Sequence, residues 1–466
     1  MKQPMKQSRR AVMAVCLAAS VSSAVSAATP VAGKDVVVDA AAPAAAPAAS
    51  TPGGRLVPSP ARPPRGASVV AATPIYTTPI HDAAVAAALG DLGLALMQQQ
   101  SRLSGRAEVN AVVSPLSVAS AMGMVHAGAA GETARELATL LASGPAANQG
   151  FVSRLPSVLS RLSAKANGEA GPLVSANRVW VRKDVASAVP GPFAAMLKAR
   201  FAADAAVLSF DNAEAARRAI NQWTSDQTRR MVPTLLPQGS VTPSTKLLVT
   251  NAVHFKSRWA VPFDPKDTEP KPFQTAQGAK LVPTMSDERP VLQGTIDNLT
   301  VYELPFSGKT FALMVAMAPK GHTLNALEND LAGLDIAAWS AQLKESTCRF
   351  EMPKFAIDAQ AHSLKPALQA LGVRTVFTDQ ADLQPMLGKA AAGTSVDEVF
   401  HAATIVVDEQ GGEAAAATAA TIQAKSFQPP AAMCAVDRPF IFAVVHKPTG
   451  APVFVGKVAD PVASRL

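Results

Sequence analysis

Aromatic and charged residues are scarce in this 466-residue chain: 5% are Phe, Trp or Tyr and 17% are Asp, Glu, Lys or Arg. Three cysteines are too few for a disulfide-dense small scaffold. Residues 31 onward contain no run of about 18 uninterrupted apolar residues, so no membrane span is expected. Enzyme signatures are missing as well. Gly-x-Ser-x-Gly, Ser-x-x-Lys, His-Glu-x-x-His, Cys-x-x-Cys and a phosphate-cradling glycine loop do not occur, and the seven histidines lack metal-ligand spacing. The chain reads as neither an enzyme nor a metal or cofactor binder. Low charge here does not mean disorder, because 48% of the residues are apolar and the length suffices for a large core.

The net charge of +8 suggests nucleic acid until it is located. Residues 1–74 carry eight bases against two acids, and the remaining chain is almost balanced at 35 against 33. No basic cluster falls in the part that would fold, so a nucleic-acid partner is not expected. Residues 1–27 read as a signal peptide: Lys2, Lys6, Arg9 and Arg10, then apolar Ala11 to Ala19, then Val25-Ser26-Ala27 as a small-residue cleavage site. That predicts export to a periplasmic, extracellular or cell-surface location. Residues 28–76 contain nine prolines amid alanine and show no apolar period, which predicts a disordered linker. The folded domain is placed at 77–466.

Within the domain, helical spacing marks Ala83 to Gln100 and the region Pro115 to Leu141. Apolar, β-branched or aromatic runs at Leu247–Phe255, Leu313–Met317, Arg349–Phe355, Ala403–Val407, Ile441–Val445 and Val453–Val458 read as strands. Helices early and strands late favour an α+β fold. The segment from Gly411 to Ala424 is built almost wholly of small residues. Counted with a strand period of two, Gly412, Ala414, Ala416, Thr418, Ala420 and Ile422 share one uncharged side, and Glu413, Thr421 and Gln423 share the other. An Ala-rich loop or helix fits the same composition.

A collinear set of short motifs, weak one by one, changes the weight given to these readings. Asn110-Ala-Val-Val-Ser114-Pro115-Leu116-Ser117, Gly128-Ala-Ala-Gly131-Glu132-Thr133, Asn221-x-Trp223, Thr245 through Asn251-Ala-Val-His-Phe255-Lys-Ser-Arg-Trp259-x-x-x-Phe263, Met352-Pro353-Lys354-Phe355, Asp437-Arg438-Pro439-Phe440 and Phe454-Val-Gly456-Lys457-Val458 fall in order along the domain. This series resembles the serpins, the family of suicide-type serine protease inhibitors. The resemblance implies a serpin fold with a large central β-sheet, two further sheets, about eight or nine helices and an exposed reactive-centre loop.

Carried over residue by residue, Glu409, Gly411, Gly412, Glu413, Ala414, Ala415, Ala416, Ala417 and Thr418 correspond to the hinge of that loop. Gly412 stands where the family often has Thr. The attacked carbonyl usually lies at the seventeenth residue counted from the hinge glutamate, which here is Lys425, so Lys425-Ser426 is the expected reactive bond. Lys425 is also the only base between Glu413 and Arg438. It suits trypsin-like proteases with Lys or Arg specificity.

Ser114, Ser117, Asn251 and His401 match a buried polar shutter below the strands that must part, and Trp259 matches the aromatic at the top of the opening. A satisfied core histidine is the alternative for His401. The resemblance also places Cys348 and Cys434 on neighbouring strands, where an oxidising compartment allows a disulfide; two buried thiols are the alternative. The implied protein is a monomeric inhibitor without a cofactor. The rival readings are a non-inhibitory serpin acting as a binding or structural module, and a hydrolase.

Overall fold

The computed structural model describes residues 80–462 except 106–107, 143–149, 163–170, 187–188, 331–335, 359–360 and 413–431. All of them lie in one compact unit spanning Thr73–Leu466. Residues 1–27 and 28–76, expected to be a signal peptide and a linker, fall outside the described residues.

In chain order the elements begin with α1 (Ile80–Ser104), β1 (Ala111–Val113), α2 (Pro115–Ala127), α3 (Gly131–Leu141), α4 (Gly150–Leu162), β2 (Leu173–Arg182) and α5 (Lys183–Ala186). Next come α6 (Gly191–Phe201), β3 (Asp204–Leu208), α7 (Ala213–Gln227), β4 (Leu247–Phe255), β5 (Ser257–Arg258), β6 (Glu269–Thr275) and β7 (Gly278–Ile296). They continue with β8 (Leu299–Pro305), β9 (Phe311–Met317), α8 (Leu324–Asp330), α9 (Ile336–Trp339), β10 (Lys344–Pro353), β11 (Phe355–Asp358) and β12 (His362–Ser363). The last are α10 (Lys365–Ala370), α11 (Gln384–Leu387), β13 (Glu398–Val407), β14 (Gly411–Gly412), β15 (Met433–Ala435), β16 (Phe440–His446) and β17 (Ala451–Val458). The fold is α+β, as expected. Among the described residues, three of the eleven α-helical segments, α5, α9 and α11, are four residues long.

Two sheets organise the described residues. One has six strands in the order β11-β13-β4-β2-β3, with β12 on β13. The other has nine, in the order β1-β17-β16-β9-β8-β7-β10-β15, with β6 on β7. The 19 residues of β7 pair with β6 and β10 along one stretch and with β8 along the other, so one long strand joins what would otherwise be two ladders. A third, two-stranded sheet pairs β14 with β5.

The helical region expected over Pro115 to Leu141 is present as α2 and α3, parted by a turn at Gly128–Ala130. The helix stops at Ala127 because Gly128 and Ala129 bond back to Val125 O and His126 O. The N–H of Ala130 is taken by Asp382 O, and Gly131 restarts the helix from φ +55°. The long polar-flanked strands β2, β7 and β8 carry too few consecutive apolar residues to stand out in the sequence.

Helix α2 is the axle of the molecule. Ser114 caps it by accepting from Ser117 N–H, Pro115 presets its first turn, and its residues from Pro115 to Val125 are all buried. Its Ser, Ala and Gly side chains let it pack against β2 and β4 of one sheet and β17 of the other. The opposite face of the six-stranded sheet is covered by α7. There Ala216 and Ile220 join Trp180, Leu248, Ala252, Phe400 and Ala402 in a second apolar cluster. Strand β4 is consequently buried along its whole length.

One ion pair lies inside this scaffold. Lys457 of β17 bonds Glu328 of α8 with 0% and 2% side-chain exposure, and its Nζ also donates to Ser101 Oγ at 2.7 Å. Removing one partner leaves an uncompensated buried charge. Glu328→Ala is therefore expected to destabilise the protein by about 3 kcal/mol, read from its urea midpoint; a shift below about 0.5 kcal/mol would contradict the pairing.

Candidate functional site

Strands β4 and β13 are 143 residues apart in sequence, yet they pair directly and in parallel from Glu398↔Leu248 to Thr404↔His254. Parallel strands pair slightly less stably per residue than antiparallel ones. At the middle of this seam His401 sits opposite Asn251. Both are fully buried, and their side chains meet Ser114 and Ser117 at the start of α2.

The bonding pattern assigns one histidine tautomer. His401 Nε2 accepts from Ser114 N–H at 3.3 Å, so Nδ1 carries the proton and donates to Asn251 Oδ1 at 2.6 Å. Asn251 Nδ2 donates to Ser117 O and Oγ at 2.8 and 2.6 Å, and Ser114 Oγ donates to Val453 O at 2.7 Å. The four residues expected at one polar cluster are thus in contact. A fifth member, Asn177 of β2, carries an Oδ1 that accepts from Asn251 and an Nδ2 that donates to Ser120 Oγ. Sequence reasoning missed it; the one available signal was an amide in the middle of an otherwise semi-apolar strand.

Above the seam the two strands diverge. β13 passes to β11, pairing Val407 with Phe355, and the chain then reverses. Asp408 and Gly411 exchange both backbone hydrogen bonds, closing a tight turn, and Gly411 and Gly412 run back antiparallel to Arg258 and Ser257. Gly411 has φ +134°, and a Cβ there would lie 2.3 Å from Ser257 O, so only glycine fits.

Glu409, at the turn, accepts from Thr268 Oγ1 at 2.8 Å and pairs with Lys354 Nζ at 2.8 Å. Burial pushes its carboxyl pKa up, but these bonds outweigh that and hold it below the ordinary value. Trp259 closes the top: its Nε1 donates to Asp408 O at 2.8 Å, its N–H to Gln410 O at 2.9 Å, and its ring stacks on Phe306 at 4.6 Å. Glu413, Ala414, Ala415, Ala416, Ala417, Thr418, Lys425 and Ser426 lie outside the described residues.

Where the chain is again described, β15 lies parallel to β10 at the end of the nine-stranded sheet. A disulfide joins Cys434 to Cys348 across these strands, with Cα atoms 6.0 Å apart. The segment after Gly412 is therefore held by two glycine pairings at one end and a covalent bond near the other.

Burial lowers the pKa of His401 to about 3, with the charge of His362 adding to the effect. Burial likewise brings His254 and His446 to about 4. These depressed values make the native state resist protonation while unfolded histidines accept it near 6.5. Stability is thus complete above the unfolded value and declines as pH falls from there toward the folded ones. Each histidine contributes a slope of up to about 1.4 kcal/mol per pH unit. His401→Gln is expected to begin about 1–3 kcal/mol less stable at neutral pH and to lose stability less steeply below pH ~6.5. Denaturant titrations across this range that gave parallel curves would contradict the assignment.

A family model described as serpin (serine protease inhibitor) matches residues 87–461. A serine protease inhibitor of Cyanea capillata is 29% identical over 364 residues, covering 77% of this chain and 94% of that protein. The leukocyte elastase inhibitor of Bos taurus is 32% identical over 365 residues, covering 76% and 93%. The structure of human thyroxine-binding globulin complexed with thyroxine superposes with a TM-score of 0.73 at 22% identity, covering 82% of this chain and 100% of that one, a likeness of fold alone. With the family model spanning most of the chain and the motifs arranged around one parallel seam, the chain belongs to the serpin family of serine protease inhibitors.

Proposed function

We propose that this protein is an exported, monomeric suicide-substrate inhibitor of trypsin-like serine proteases. The target protease attacks Lys425 and forms an acyl-enzyme. Residues 410–424, released by scission of Lys425-Ser426, then enter the six-stranded sheet between β4 and β13 and drag the protease with them. In this scheme Ser114, Ser117, Asn251 and His401 act as the shutter, Trp259 guards the opening, and Glu409 to Thr418 form the hinge. Export rests on the basic, apolar and small-residue pattern of residues 1–27, with residues 28–76 as a spacer and the serpin domain beginning near residue 77.

The observation that carries this reading is one of register. The Asp408–Gly411 turn and the Gly411–Arg258 pairing start a strand antiparallel to both neighbours. Continued down the seam, each register leads to the same place: Ala414 comes opposite Phe255 and Ile405, and Thr418 opposite Asn251 and His401. The two are mutually consistent because β4 and β13 are themselves paired Asn251 to His401.

Cross-strand partners share a face. Gly412, Ala414, Ala416 and Thr418 would therefore point toward α2, and the threonine hydroxyl would reach the polar cluster. Ala417 and Ala419 would pass beneath α7, next to Ala252, Ala402 and Phe400. Small residues are needed on both faces, and the sequence supplies them.

Insertion replaces one parallel pairing by two antiparallel ones. About ten new ladder bonds at roughly 1 kcal/mol each give on the order of 10 kcal/mol, comparable to the stability of a whole domain. Release of that difference on scission is a known type of switch. The fold shared with a thyroxine-binding globulin keeps a second reading open, a non-inhibitory binding module; the small-residue hinge and the set register favour inhibition.

Mixing the protein with trypsin is expected to yield an SDS-resistant complex, with the cut mapping to Lys425-Ser426. Ala414→Arg, which would place a charge toward α2, is expected to convert the inhibitor into a substrate, whereas Glu413→Arg, on the other face, retains complex formation. Turnover of the unaltered protein without a complex, and no rise in melting temperature on nicking, would sink the inhibitory reading.

The disulfide yields a separate expectation. An uncut loop is tethered at both ends, so its insertion requires the three residues of β15 to leave β10. The Cys348–Cys434 bond opposes that departure. Reduction, or the double Cys348→Ser and Cys434→Ser variant, is expected to shorten the half-life of inhibitory activity in the uncut protein at 37 °C. An unchanged half-life would show that β15 needs no such anchor.

A further inference from the structure

At its upper end the seam is closed by Trp259 and the hinge turn; at its lower end it is held by Asp397. This residue directly precedes β13, and its Oδ2 accepts from the backbone N–H groups of Lys246 and Leu247, where β4 starts, at 2.8 and 2.9 Å. Its own N–H donates to Leu247 O at 2.9 Å. Three bonds of one residue thus cross from one strand to the other. Lys246 Nζ also donates to Gly393 O, in the chain before β13, at 2.9 Å.

Hydrogen bonds from N–H groups to an ionised carboxylate are about twice as strong as neutral ones. A cation stands ready beside this one, because Lys365 Nζ donates to Asp397 O at 3.1 Å. Asp397 belongs neither to the motif series nor to the polar cluster around His401.

We propose that Asp397 is a positioning residue that locks the lower end of the seam and releases it when an entering strand reaches that level. The assignment rests on the inhibitory reading above. Paired strands lie about 4.8 Å apart, so a strand placed between β4 and β13 sets them about 10 Å apart. No bond of Asp397 to Lys246 or Leu247 survives that separation. In the register that begins at Gly411–Arg258, Ile422 comes between Leu247 and Asp397. Ile422 is the first large apolar side chain after Val407, and Leu247 belongs to the main apolar core. Its arrival buries apolar surface as the three polar bonds are given up, while the carboxylate passes to the Lys365 ammonium. Earlier stages of entry leave the lock untouched: Ala420 comes opposite Val249 and Val399, which are themselves paired.

Two fluorescein-labelled synthetic peptides offered to the uncut full chain test the assignment, with incorporation followed by native electrophoresis. One has the sequence of residues 411–424 and reaches Asp397; the other, residues 411–420, ends above it. In the unaltered protein, a comparison that needs no variant, the longer peptide is expected to enter more slowly. Asp397→Ala should speed its entry roughly tenfold. Asp397→Asn keeps an acceptor oxygen for both N–H groups and should stay within about threefold of the parent. Neither change should alter entry of the shorter peptide, whereas a general loosening of the fold would speed both. Equal acceleration of both peptides by Asp397→Ala, or entry of the longer one at the shorter one's rate in the unaltered chain, would overturn the lock. Failure of the inhibitory reading shows separately, as absence of the SDS-resistant trypsin complex in the unaltered protein.

Discussion

The contact on which the rest of this structure depends is the parallel seam between β4 and β13, held at its centre by the bond between His401 and Asn251. Among the described residues of the polar cluster, that is the side-chain bond that crosses from one strand to the other. His401 is tied to Ser114 and Asn251 to Ser117 at the start of α2, and Asn251 also to Asn177 of β2. Parting the strands at the cluster therefore breaks one side-chain bond and a short parallel ladder while leaving both anchored from below. An interlocked apolar seam would resist opening along its full length, since close-packed side chains lose their contacts together. A buried polar cluster can instead exchange partners, provided that the arriving group hydrogen-bonds.

The seam is covered on both faces, by α2 on one and α7 on the other. On the inhibitory reading proposed above, an entering strand would have a tight space on both sides, and the near absence of bulk and charge in the sequence of residues 411–424 fits that reading. Aromatic residues, scarce overall, gather in two groups. Trp259, Phe306, Phe255, Phe311 and Phe454 form a continuous contact above α2, and Phe355, Phe440 and Phe442 another beside it.

The two ends of the loop segment are held by different means. At the start, Glu409 is tied to Lys354 and Thr268, and two glycines pair with β5. At the far end a disulfide and the three residues of β15 attach to β10. The first attachment consists of exchangeable bonds and the second is covalent.

Much of this was legible in the residues. The Ser114-Pro115 start of α2, the full span of β4 and the motif series around Trp259 follow from side-chain chemistry over short distances, where chain connectivity fixes the geometry. Lys354 stood inside one motif of the series, yet its bond to Glu409, like that of Thr268, could not be read from its neighbours. Asn177 gave almost no signal, and the break at Gly128–Ala130 depends on an acceptor, Asp382, some 250 residues away. The sequence alone determined the apolar runs that became β4, β9, β16 and β17, and the motif series whose resemblance the family model then bore out. Tertiary structure decided that β4 and β13 touch, in which register, and with which polar side chains between them. Pairing across more than a hundred residues is set by the packing of both sheets on α2, and no local pattern encodes it.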